Sequence, residues 1–194
     1  MMRHDSDVFQ YICDRFAVDG TYLKNNNIDA LHQACERGNL DVVRYLIDDE
    51  RRFGITSGDI NATIPMSREL PIGGGIVCTV CANGHIDILR YLHRCSRIVI
   101  NCDVTGALIA ACANGYMNIV RYLCEAGDGL AVDVCADNNH ALRAACAFGH
   151  LRIVQYLSEI LCFNIGAPAS ACELVRIALD NRHHDIAQYI RGHF

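Results

Sequence analysis

Cys78-Thr79-Val80-Cys81, with His85 four residues on, is the stretch whose residue types and spacing come closest to a metal site. Zinc takes thiolate and imidazole ligands in sets of three or four, so this pair would need a second pair converging on it. The sequence holds no second Cys-x-x-Cys. Gly73-Gly74-Gly75 has the composition of a phosphate cradle but lacks the Lys-Ser/Thr that follows one, and reads as a flexible loop. His183, His184 and His193 cluster near the end of the sequence and read as a solvated face. A catalytic thiol needs a base within hydrogen-bond reach, and no histidine is placed to activate Cys95, Cys124, Cys135 or Cys162. Twelve cysteines in 194 residues stay below the roughly 8–10% that marks a disulfide scaffold, which favours reduced thiols.

The elements carrying these residues repeat. Val42–Leu46 reads VVRYL, Ile88–Leu92 ILRYL, Ile119–Leu123 IVRYL, Ile153–Leu157 IVQYL and Ile186–Ile190 IAQYI. Their tyrosines, at 45, 91, 122, 156 and 189, are spaced by 46, 31, 34 and 33 residues. Upstream, four copies share a small residue, a cysteine, two variable residues and a glycine, as in Ala34-Cys35-Glu36-Arg37-Gly38 and Ala111-Cys112-Ala113-Asn114-Gly115. Leu31, Ala34 and Cys35 fall at i, i+3, i+4, one face of a short helix, and the glycine ends it. Leu40, Val43, Leu46 and Ile47 mark a second helix. Val132-Asp133-Val134 and Ile100-Asn101-Cys102 alternate like hairpin arms between units. The shared cysteines are small apolar fillers, which makes Cys81 a core position and His85 simply the residue after the glycine.

A period near 33 with this grammar resembles the ankyrin repeat, and Asp29-Ala30-Leu31-His32-Gln33-Ala34-Cys35-Glu36-Arg37-Gly38 is the copy most similar to its helix-one phrase. The threonine-proline pair of that phrase is missing, and Cys78, Ile109, Arg143 and Arg176 stand where His32 stands in the first copy. The last copy puts Leu179 for the cysteine and Arg182 for the glycine, as a polar end cap does. Tyrosine in helix two and Asp137-Asn138-Asn139 before helix one resemble the divergent arrays of large DNA viruses, amoebae and intracellular bacteria. The resemblance implies an all-α ankyrin solenoid of helix-turn-helix units with short hairpin loops, one domain over 1–194. Its expected parts are a half repeat at 6–20, repeats at about 28–50, 75–96, 106–126, 140–160 and 172–192, and an insertion at about 51–74.

Charge narrows the function. Seventeen Lys plus Arg against twenty-two Asp plus Glu give −5, which offers no basic field for nucleic acid. No apolar run approaches the ~20 residues that span a bilayer. No secretory apolar stretch precedes Asp14 and Arg15, so a cytoplasmic location, for such arrays within a host cell, is expected. The resemblance implies a non-enzymatic, cofactor-free scaffold, monomeric by itself, that binds another protein on a concave surface of hairpins and first helices. Family resemblance places Glu36, Arg37, Asn83, Asn114, Phe148, Asp180 and Asn181 there, with the hairpin residues Asp103, Asp137, Asn138 and His140. Phe148 either anchors the partner or packs on a neighbouring hairpin. Arg44, Arg90 and Arg121, at one register of helix two, read as a solvated stripe. Two other readings stand beside the scaffold: a zinc- or thiol-dependent protein using Cys78, Cys81 and His85, and a structural spacer within a larger protein.

Overall fold

A computed structural model describes residues 27–48, 55, 60, 75–95, 104–126, 132–160 and 168–193. Within them the chain is all-α, a solenoid of helix pairs, with no strand among the described residues. The pairs are α1 (Asn27–Arg37) with α2 (Leu40–Asp48), α3 (Ile76–Ala82) with α4 (Ile86–Arg94), and α5 (Val104–Ala113) with α6 (Met117–Glu125). Then come α7 (Ala136–Ala147) with α8 (Leu151–Ile160) and α9 (Pro168–Asp180) with α10 (His184–His193). The half repeat expected at 6–20, most of the insertion at 51–74 and the hairpin arm at Ile100–Cys102 lie outside the described residues.

The inner first helices pack chiefly on the first helices of the neighbouring units, whereas each second helix packs mainly on the first helix of its own unit and more lightly on the second helices beside it. Small residues permit the close first-helix stack. In α5, flanked by α3 and α7, every residue from Gly106 to Cys112 is buried, so this helix is apolar all round and has no polar face to show. The second helices are amphipathic: α2 buries Val42, Val43, Leu46 and Ile47 and exposes Asp41, Arg44 and Asp48.

One device joins the two helices of every unit. The residue after the helix-one terminus donates its backbone N–H back five residues, as in Asn39 to Ala34, His85 to Val80, Tyr116 to Ala111, His150 to Ala145 and His183 to Ala178, at 2.8–3.1 Å. This is the long bond of a Schellman closure, and it demands a left-handed residue just before it. Gly115 supplies that residue with φ +79°, and Gly38, Gly84 and Gly149 repeat it.

The fifth unit puts Arg182 in the same conformation, at φ +66°. The left-handed region costs an L-residue roughly 1–2 kcal/mol, part of which glycine's backbone entropy offsets. Arg182→Gly is therefore expected to raise stability by roughly 0.5–1 kcal/mol, read as a higher urea midpoint; an unchanged or lower midpoint would show that the arginine side chain compensates.

The shared cysteines Cys35, Cys81, Cys112 and Cys146 are buried among the first helices. Burial pushes the Cys146 thiol up to about 12, and pushes Cys35 and Cys112 up as well. Thiolate is the reactive form, so burial suppresses these groups twice, by access and by ionisation. Among the described cysteines, brief alkylation of the native protein should label exposed Cys172 first and these four, with buried Cys78, last, as read by peptide mass spectrometry; rapid labelling of any of the four would contradict the stack.

Candidate partner-binding surface

The side chains expected at the binding surface fall into two rows on the first helices. At the helix C-termini, Arg37, Asn83, Asn114, Phe148 and Asn181 share the register just before the left-handed residue, with Glu36 and Asp180 one position earlier. All seven are exposed. The three asparagines also act locally. Each side-chain amide donates to the carbonyl four residues back, Asn83 to Thr79, Asn114 to Ala110 and Asn181 to Ile177, all at 2.9 Å. Each thereby adds a second bond to a carbonyl that already accepts the same residue's backbone N–H, tightening the last turn of the helix. Phe148 takes the same register with no such bond to offer, and the residue is 62% exposed.

The second row lies at the start of α7. Asp137, Asn138 and Asn139 are consecutive left-handed residues, at φ 52°, 59° and 57°, so the regular helix begins at His140. Asp and Asn are the side-chain types that tolerate this region best after glycine. Asp137, Asn138 and His140 are exposed. His140 and Phe148 stand eight residues apart along α7, about 12 Å at 1.5 Å per residue. Arg143 and Glu173 join α7 to α9 between the rows with an ion pair at 3.2 Å. Asp103 lies outside the described residues.

Two further ladders run across the units, and the sequence reading missed what each does. From the second unit on, the ring after each left-handed residue rests on the glycine of the preceding unit: His85 on Gly38, Tyr116 on Gly84, His150 on Gly115 and His183 on Gly149. The histidine Nε2–H of each donates to the preceding unit's main chain, His85 to the Glu36 carbonyl and His150 to that of Ala113 at 3.0 Å, and His183 to that of Ala147 at 3.1 Å. A Cβ at Gly115 would lie 2.6 Å from His150 Cε1. The glycines are thus required by the neighbour's ring as well as by their own backbone.

The second ladder corrects the reading of Arg44, Arg90 and Arg121 as a merely solvated stripe. Each guanidinium sits over the tyrosine of the next unit, Arg44 on Tyr91, Arg90 on Tyr122 and Arg121 on Tyr156, at 5.6 Å from the ring centroid. The tyrosine hydroxyls also reach back: Tyr91 donates to Asp48 at 2.8 Å and Tyr156 to Glu125 at 3.2 Å, while Tyr122 and His93 Nδ1 share a bond of 2.7 Å. Burial first, then neighbours that include Glu125, push the Tyr156 phenol up to about 12, so it remains a neutral donor. Where arginine gives way to Gln155, no such stack forms on Tyr189 among the described residues.

The zinc spacing dissolves in this geometry. Cys78 and Cys81 face the buried first-helix layer, whereas His85 is turned onto Gly38 and the Glu36 carbonyl. No group of three metal-ligating side chains converges among the described residues.

A model of three consecutive ankyrin repeats matches residues 76–167, and a single-repeat model matches 26–55, together more than half of the sequence. The chain belongs to the ankyrin-repeat family. Ankyrin repeats are generally protein–protein interaction modules and typically non-catalytic. A search of curated proteins found no match to the chain. No described helix is long and apolar enough to cross a membrane.

Proposed function

We propose that this ankyrin array is a non-catalytic scaffold that binds a partner protein on the exposed side of its first helices. Phe148 carries this reading. A phenylalanine is left 62% exposed here, at a register where three other units place asparagines that bond back to their own helix. Aromatic side chains concentrate binding energy at interfaces. Glu36, Arg37, Asn83, Asn114, Asp180 and Asn181 extend the C-terminal row on either side of it, and Asp137, Asn138 and His140 form the second row. Asp103 belongs to the same hairpin set by register. The stacked rings and closures hold these rows at fixed spacing, so binding does not have to order them first. The test is retention of proteins by the immobilised chain against a Phe148→Asp variant. A protein held by the first and lost from the second supports the surface; identical retention by both overturns it.

A further inference from the structure

The second helices carry a separate charged feature. Leu40 and Arg44 of α2 and Asp87, Arg90, Tyr91 and Arg94 of α4 line a groove of about 370 Å³. Three arginines and one aspartate make its lining cationic, in a chain whose total charge is −5. No ion pair engages Arg44, Arg90 or Arg94 among the described residues, whereas Arg121, one unit further on, pairs with Glu125 at 3.5 Å. Among the described second-helix arginines that stack on a tyrosine, Arg44 and Arg90 are thus free of an ion pair and Arg121 is not.

Two of the cations are preorganised. Stacking on Tyr91 and Tyr122 occupies a face of the Arg44 and Arg90 guanidinium groups and leaves their N–H edges for an acceptor. A guanidinium edge is shaped for a carboxylate or phosphate fork. Packed helices lie ~8–10 Å apart, so Arg44 and the Arg90–Arg94 pair present two stations about that far apart. A polyproline II segment rises ~3.1 Å per residue with three residues per turn. Side chains three apart on such a segment share one face at about 9 Å, matching the two stations. Leu40 and the Tyr91 ring give the segment an apolar floor. A duplex or a lipid surface would carry its phosphates beyond the groove onto an acidic remainder, which favours a short acidic segment instead.

We propose that this groove binds an extended acidic peptide segment of a partner protein, with one carboxylate on Arg44 and another, three residues away, on Arg90 and Arg94. The site is independent of the first-helix rows, and either can fail without the other.

The experiment titrates fluorescein-labelled (Glu-Pro-Pro)3 with the full chain and follows anisotropy, using (Gln-Pro-Pro)3 as control. Saturable binding of the glutamate peptide is expected, with at least tenfold weaker binding of the glutamine peptide and further weakening with salt. Arg94→Gln, which removes a cation that stacks on no ring among the described residues, should weaken binding roughly tenfold while the unfolding midpoint stays put. Arg44→Gln should do the same with a small loss of stability, and Arg121→Gln should leave the affinity unchanged. No saturation by about 1 mM peptide, equal affinity for the two peptides, or equal weakening by Arg121→Gln would each overturn the proposal. Full displacement by millimolar inorganic phosphate, or tighter binding of a duplex oligonucleotide, would reassign the groove to phosphate and overturn the peptide.

Discussion

Gly115→Val will destabilise the protein by about 3 kcal/mol or more, and Asn114→Ala, one residue away, by about 1 kcal/mol or less. Three costs add at Gly115. The backbone there has φ +79°, where a β-branched residue is strained. The new Cβ would fall 2.6 Å from His150 Cε1, so the imidazole must move. Once it moves, the bond from Nε2 to the Ala113 carbonyl is lost from the seam between two units. Asn114 loses one bond to the Ala110 carbonyl at an exposed helix end, where water replaces it. Urea unfolding followed by helical circular dichroism measures both. Repeating Gly115→Val in a His150→Ala background separates the causes, because the clash disappears there and the backbone strain remains. Equal midpoints for Gly115→Val and Asn114→Ala would contradict the seam.

The second large effect is on association. Phe148→Ala should weaken the complex with the partner protein by about 2 kcal/mol, roughly 30-fold in Kd, with almost no change in unfolding because the ring is already mostly in solvent. Substitutions around it need care. Asn114→Ala removes a helix-end bond, and Asn138→Ala puts alanine at φ 59°, so either change mixes stability with binding. Asn138→Gly keeps the backbone unstrained and is the cleaner companion. Titration calorimetry against the protein retained by the native chain gives the affinity, and an unaltered Kd for Phe148→Ala would remove the anchor.

Much of this was legible in the residues, and the missing part has one physical cause. The VVRYL motif and the small-Cys-x-x-Gly phrase announce two helices and the left-handed residue that ends the first. Burial of Cys35, Cys81, Cys112 and Cys146 follows from their position beside alanine or valine on the apolar face. The roles of His85, His150 and His183 did not follow, although the repeat register aligned His85 and His150 at the position after the glycine. Each bonds across a seam to a residue 36 to 49 positions away, and periodicity within one unit says nothing of what the next unit touches. The arginines before the tyrosines failed for the same reason, since Arg44 meets Tyr91 and not its own neighbour Tyr45. A hint was present: arginine at that register occurs in the three units followed by a stacked tyrosine, and Gln155 begins the end of the ladder. The asparagines before the glycines were read only as surface, because an exposed amide that caps its own helix looks, in sequence, like one held out for a partner.

The central claim is that the first-helix rows are the working surface, and site-specific photo-crosslinking in the cells that express the chain tests it most directly. Benzoylphenylalanine placed singly at positions 114, 140 and 148 samples the two rows, and at 121 and 152 it samples the exposed side of the second helices away from the arginine groove. The account predicts a common covalent adduct from 148 and 114, with 140 contributing if the partner spans both rows, and none from 121 or 152. Adducts from 121 and 152 with none from 114 or 148 would contradict it and place the partner on the opposite face.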